Sequence, residues 1–98
     1  MKIKITKEIK LFGTTEQEVF VKPNININGS MCNVELRAFN SYEAMQADAQ
    51  STEIKGIDTY NQFNNYPTVQ FFTWLQNKLS DLICEKLEIT TDKIEFIQ

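Results

Sequence analysis

The side chains that most often carry catalysis are sparse in this chain. It contains no histidine, so the commonest general base, the usual partner of a catalytic serine and the commonest zinc ligand are all missing. Its two cysteines are Cys32 and Cys84. Cys32 falls on the apolar side of a strand, and Cys84 is followed by Glu85 rather than by a base, so neither has an activating partner. Two cysteines do not make a disulfide framework, which favours a reduced cytosolic setting.

Motifs for metal, phosphate or acid–base chemistry are equally weak. Glu85 and Glu88 stand three residues apart near a helix end, where solvated carboxylates are the more ordinary interpretation. No Asp-x-Asp-x-Asn-Gly calcium loop occurs. The glycines are isolated from one another and form no phosphate-binding loop: Gly13, Gly29 and Gly56. We therefore expect no catalytic residues, no cofactor and no metal, and a protein that is not an enzyme.

Aromatic residues supply the sharper signal. Six of them fall between positions 60 and 74: Tyr60, Phe63, Tyr66, Phe71, Phe72 and Trp74. On a helical wheel, Trp74 lies with the polar residues Gln70, Lys78 and Asp81. A tryptophan on a polar face is typical of a binding hot spot. The alternative is that residues 61–66 fold back over Trp74 and make a small core there, and the sequence leaves both interpretations open.

A second candidate surface comes from a predicted hairpin centred on Asn28-Gly29, the strongest two-residue hairpin signal. With that dipeptide as the loop, Ile25 faces Cys32 and Val21 faces Leu36, so one face of the hairpin is apolar. The other face carries Phe20, Met31 and Phe39 among asparagines. It is either a surface for another subunit or a solvated face with scattered apolar residues. The predicted partner interface comprises Trp74, Tyr60, Phe63, Tyr66, Phe20, Met31 and Phe39.

The remaining elements follow from periodicity and turn signals. Pro23 predicts an edge or a bulge in the first hairpin strand, because it has no N–H to donate. Asn40 and Glu43 have the spacing of a capping box before a helix of two or three turns. Other expected elements are a strand at 2–12, a turn at 13–17, a strand at 51–60 with a bulge at Gly56, a helix at 68–86 preceded by Pro67, and a final strand at 93–97.

In the long helix, an apolar stripe is expected to cover the sheet: Val69, Phe72, Leu75, Leu79, Leu82 and Ile83. The whole chain, residues 1–98, is then one α+β domain. It should hold a small, mostly antiparallel sheet of four or five strands, in the order β-β-β-α-β-α-β, with one long C-terminal helix packed on one face.

Charge and composition narrow the function. The net charge is −3, a single arginine accompanies nine lysines, and residues 60–77 contain neither, which argues against nucleic-acid binding. No signal peptide and no apolar run of membrane-spanning length is visible, which indicates a soluble cytoplasmic protein without a membrane partner, or one inside a virion. The sequence favours a non-enzymatic interaction module, a small subunit or adaptor of a larger protein assembly such as a phage particle. The alternative is a small regulator that binds a ligand or nucleic acid.

Overall fold

The fold is a five-stranded antiparallel sheet with a long helix across one face. The computed structural model describes residues 1–10 and 14–97, with side-chain positions for residues 1–6 and 17–97. Within those residues the elements are β1 (Lys2–Lys10), β2 (Thr14–Asn28), β3 (Met31–Phe39), α1 (Tyr42–Gln46), β4 (Tyr60–Asn64), α2 (Phe71–Leu87), a 3-10 turn (Thr91–Lys93) and β5 (Ile94–Ile97). The strands pair in the order β4-β3-β2-β1-β5. The predicted α+β class and order of elements are confirmed.

The main core lies between α2 and the face of the sheet that it covers. Leu75, Leu79 and Ile83 of α2 are fully buried. They belong to one cluster with apolar strand residues that alternate toward the helix: Ile3, Ile5, Val21, Cys32, Val34 and Leu36. This alternation is what the sequence predicts for strands with one dry face. The opposite face of the sheet, which α2 does not cover, is called the open face below.

The β2–β3 hairpin has the predicted faces but a different set of partners. Asn28 pairs with Met31, Ile25 with Val34 and Pro23 with Leu36, so every predicted partner is wrong by two positions. The loop is Gly29-Ser30, in which Gly29 has a φ of 61°. A turn of this kind places glycine first, as type II′ turns do, whereas the prediction required asparagine first. Because side chains alternate with a period of two, the shift leaves the apolar face intact.

Pro23 occupies a local edge, as predicted. The paired part of β1 reaches β2 at Ile3, which lies opposite Val21. Pro23 is therefore beyond the end of β1, although β2 is an interior strand of the sheet. On the other side, the N–H of its partner Leu36 donates to the Thr59 carbonyl, 2.8 Å away, and so points away from Pro23. No ladder hydrogen bond is lost by having proline here.

The strand predicted at 51–60 is wrong. Residues 51–59 form a loop that is joined to β3 by a bridge between Thr52 and Ala38 and by the hydrogen bond from the Leu36 N–H to the Thr59 carbonyl. The change of apolar parity at Gly56 marks a turn instead of a bulge, because Gly56 has a φ of 95° and the Ile57 N–H donates to the Ile54 carbonyl at 3.1 Å. The fourth strand is Tyr60–Asn64, which shares only Tyr60 with the predicted strand and otherwise falls in the stretch 61–66 that is predicted to be a loop.

Two helix starts also differ from prediction. The cap of α1 is Ser41 rather than Asn40, since the Ser41 hydroxyl accepts from the Ala44 N–H at 3.1 Å, and α1 is a single short helix of five residues. The long helix begins at Phe71 instead of 68. Gln70 has a left-handed conformation, with φ 56° and ψ 38°, which interrupts a helical path and leaves Val69 in the preceding turn.

Residues 14–17, predicted as part of a turn, belong instead to a strand. Thr14 already belongs to β2 and pairs with Lys10 of β1. Gly13 lies outside the described residues, as does Leu11, which was assigned to the first strand. The β1–β2 pair therefore continues past the rest of the sheet, because β5 pairs with β1 only over residues 2–5 and β3 pairs with β2 only from Phe20 onward.

The two cysteines offer a direct test of the main core. Cys32 is fully buried beneath α2, and this burial raises the pKa of its thiol, whereas Cys84 is partly exposed. We expect an uncharged thiol reagent to modify Cys84 at least about tenfold faster than Cys32 in the folded protein, since the thiolate is the reactive form. Peptide mapping of alkylation against time measures the two rates. The two rates should converge in denaturant, and equal rates in the folded protein would contradict this placement.

Candidate interaction surface

The structure places Trp74 inside a chain of aromatic contacts. Its ring is edge-on to Phe63 of β4, with centroids 6.1 Å apart, and lies 5.9 Å from the ring of Phe71. Phe71 in turn meets the edge of Tyr66 at 5.7 Å. All four side chains are partly buried and pack against the main core. Trp74 is thus covered by the segment that precedes α2, which was the second of the two interpretations of its position.

The polar wheel position of Trp74 has a structural reason. Phe63 belongs to β4, an edge strand, and its side chain faces α2 because its neighbour Cys32 does. The turn after β4 is also tied down, since the Asn65 N–H donates to the Ser30 carbonyl and the Tyr66 hydroxyl to the Gly29 carbonyl, each at 3.0 Å. The flank of α2 that carries Trp74 therefore meets a wall of side chains instead of solvent.

On the open face, two predicted interface residues are removed from the surface. Phe20 is 8% exposed and Phe39 is 2% exposed, and both pack with Met45 in a second, smaller core beneath α1. Tyr42 closes this core with its ring edge-on to Phe20 at 6.0 Å. The expectation that Phe20 and Phe39 form a surface for a partner is therefore corrected, because α1 folds back over them.

Tyr60 and Met31 also lie on the open face, with different exposures. Tyr60 is 74% exposed at the start of β4, and Met31 is partly exposed beside the hairpin turn. The seven predicted residues thus fall into three groups: the Trp74 cluster with Phe63 and Tyr66, the small core, and these two side chains. No single surface contains all of them.

An exposed apolar site appears where the sequence predicted core. Val69 and Phe72, both assigned to the buried stripe, are 76% and 62% exposed. Phe72 borders a shallow depression of about 320 Å³ together with Met1, Gln76 and Ile97, called the Phe72 depression below. Helical periodicity could not find this site, because Phe72 has the same angular position as the buried residues one and two turns later.

Ion pairs neutralise much of the charge on the open face. Lys4 Nζ lies 2.9 Å from Glu18 Oε1, and the Arg37 guanidinium binds the Glu35 carboxylate. Hydrogen bonding from Arg37 lowers the pKa of Glu35, with smaller contributions from Tyr60 and Asn24, while the same contact raises the pKa of Arg37. Glu18 likewise raises the pKa of Lys4. These charged groups therefore have partners of opposite sign on the protein itself.

Within the described part of the chain, no three Cys, Asp or Glu side chains converge in a way that could hold a metal ion. Neither is any of its helices long and apolar enough to span a membrane. Comparison of the chain with models of known protein families, with curated proteins and with solved structures gave no match.

Proposed function

We propose that this protein is a non-enzymatic interaction module, a small subunit or adaptor of a larger protein assembly such as a phage particle. The observation that carries this proposal is the pair of large apolar side chains at the start of α2, with Phe72 at 62% and Val69 at 76% exposure. Phe72 is the proposed anchor and the Phe72 depression the proposed contact surface. The partner is a protein, either a second copy of this chain or a different one.

The energetics of exposure support this choice. Fully burying a phenylalanine side chain contributes about 1.5–3 kcal/mol, so most of that gain remains available to an association that covers Phe72. Its ring also has a fixed neighbour, since the centroids of the Phe72 and Phe71 rings are 5.5 Å apart and Phe71 packs against the main core. An exposed aromatic side chain on a rigid support is typical of an interface hot spot, because little side-chain entropy is lost on binding.

The charges of the protein disfavour nucleic acid as the partner. The net charge is −3, and Lys4 and Arg37 of the open face are engaged with carboxylates. A nucleic-acid site needs cations that are free to neutralise phosphates. The depression itself is bordered by Met1, Phe72, Gln76 and Ile97, whose side chains carry no charge. An apolar protein surface fits it better.

A charge introduced at Phe72 tests the proposal. We expect the wild-type protein to form a defined oligomer, or a defined complex with its partner, and Phe72→Glu to weaken that association at least about tenfold, because the carboxylate would be desolvated at a hot spot. Light scattering after size exclusion, across a wide range of concentrations, measures the mass of the protein alone. A photo-crosslinking residue at position 72 captures a partner in the native host.

Asn77→Glu is the matched control, since it adds the same charge at an exposed position elsewhere on α2. It should leave association unchanged. A wild-type monomer at all concentrations, together with no specific crosslink at position 72, would overturn the proposal. Equal weakening by both variants would show a general effect of charge instead of a contact at Phe72.

A further inference from the structure

The open face carries a second concave site, formed by polar side chains. A cavity of about 360 Å³ lies over β2, β3 and β4, within the range of roughly 300–1,000 Å³ that is usual for small-ligand sites. We call it the amide cleft. The side chains that face it come from three adjacent strands: Asn24, Asn26, Asn33, Glu35, Tyr60 and Gln62.

The pairing of the strands arranges these side chains as two parallel rows. Asn24, Glu35 and Tyr60 are direct neighbours across β2, β3 and β4, and form the first row. Asn26, Asn33 and Gln62 form the second row in the same way. Helix α1 packs over Phe20 and Phe39 at the other end of the face, so it leaves the cleft open. The rows rest on strands of a sheet whose opposite face is packed, which holds their spacing.

The cleft is nearly neutral, which limits the ligands it can take. Glu35 is the only charged side chain in the two rows, and it is bound by Arg37. Asn24 Nδ2 also donates to Glu35 Oε1 at 3.5 Å. An anion would find no free cation among the lining residues, and a cation would have to compete with Arg37 for the carboxylate. The chemistry favours an uncharged, hydrogen-bonding ligand.

Amide side chains suit hydroxyl groups in particular. Each Asn or Gln offers two donors and an acceptor, and a hydroxyl is both a donor and an acceptor, so rows of amides can bind successive hydroxyls in either sense. Asn33 Oδ1 has no hydrogen-bond partner among the described residues, and it is buried from solvent. An unpaired buried acceptor costs about 1–3 kcal/mol, so rotation of the Asn33 amide toward a ligand hydroxyl in the cleft would remove that cost.

Tyr60 adds an apolar surface at the end of the first row. Its side chain is 74% exposed, and Tyr60 lies directly across from Glu35 of β3. An exposed aromatic ring at this position can stack against the C–H face of a sugar ring while its neighbours bind the hydroxyls. We propose that the amide cleft is a binding site for a neutral carbohydrate, with Tyr60 stacking and Asn24, Asn33 and Gln62 hydrogen-bonding. This site is separate from the Phe72 depression and goes beyond the proposed function.

Nuclear magnetic resonance of the full chain labelled with nitrogen-15 tests the proposal. The probes are maltohexaose, cellohexaose and the hexamer of N-acetylglucosamine, each titrated to about 10 mM, with a hexathymidylate oligonucleotide as the anionic comparison. At least one sugar should bind with a Kd of about 1 mM or tighter. The shifted signals should be the side-chain amides of Asn24, Asn33 and Gln62 and the backbone of β3 and β4. The oligonucleotide should shift none of them.

Variants separate the cleft from the rest of the open face. Tyr60→Ala and Asn33→Ala should each weaken sugar binding at least about tenfold, as expected for hot-spot contacts, while Tyr60→Phe retains most of the affinity. Asn64→Ala is the matched control, because Asn64 lies on β4 and on the open face, as Tyr60 does, but does not line the cleft. Signal dispersion confirms that each variant is folded. Failure of all three sugars to shift the cleft, or undiminished binding by folded Asn33→Ala and Tyr60→Ala, would overturn the proposal.

Discussion

Replacing Trp74 by alanine is expected to lower the free energy of unfolding by about 3 kcal/mol, the lower end of the range for truncating a core tryptophan. The side chain is partly buried, packs against the main core, and makes ring contacts with Phe63 and Phe71. Each aromatic contact contributes about 0.5–1.5 kcal/mol beyond the area that it buries. Chemical denaturation, followed by circular dichroism so that the signal does not depend on the lost tryptophan, measures the change.

Phe72→Ala is the control for Trp74→Ala. It removes an aromatic ring two positions earlier in α2, from a side chain that is 62% exposed. Its effect on stability should be within about 0.5 kcal/mol, as for most surface substitutions. A loss below about 1 kcal/mol for Trp74→Ala, together with impaired association, would instead assign Trp74 to an interface.

Phe39→Ala is expected to have an effect of similar size, about 3–5 kcal/mol, because it removes one of the two phenylalanine rings that form the small core beneath α1. Phe39 is 2% exposed and packs with Phe20 and Met45. Since α1 has only five residues, it is too short to be stable by itself. Its amide protons should therefore exchange with solvent much faster in the variant, which hydrogen exchange measures together with the denaturation midpoint.

Tyr60→Ala provides the matched control on the same face of the sheet. The side chain is aromatic and 74% exposed, so its removal should change the free energy of unfolding by no more than about 0.5 kcal/mol. If Phe39→Ala and Tyr60→Ala cost equally little, the small core would not exist in solution, and the open face would extend over Phe20 and Phe39.

The features that the sequence predicts well are those that depend on side-chain alternation. The apolar face of the β2–β3 hairpin is predicted correctly although the loop is not. A shift of two positions in the cross-strand partners leaves each side chain on the same face. The polar side of α2 is right for a similar reason, helical periodicity, since Asn77, Asp81 and Glu85 are exposed in the structure. The exact turn depends on backbone angles at Gly29 and Ser30, and Asn28-Gly29 and Gly29-Ser30 are both acceptable loops.

The features that the sequence predicts badly depend on contacts between segments that are far apart along the chain. Tyr60–Asn64 is too polar to be identified as a strand, and becomes one because its backbone completes the edge of β3. Phe63 of that strand then packs against Trp74. Because the strand is not predicted, the covering of Trp74 is not predicted either. Phe72 shows the opposite case, since its position on the helical wheel is that of a core residue but its side chain is 62% exposed.

The position of β1 between β2 and β5 also determines when the sheet can be completed during synthesis. Lys2 pairs with Ile97, and Lys4 pairs with Glu95. A nascent chain therefore carries β1 with one edge unpaired until β5 has been translated, and the sheet cannot reach its final stability before then. Lysine is the residue that most often protects an exposed strand edge from other chains. Lys2 and Lys4 are thus well placed to keep neighbouring nascent chains apart until β5 emerges.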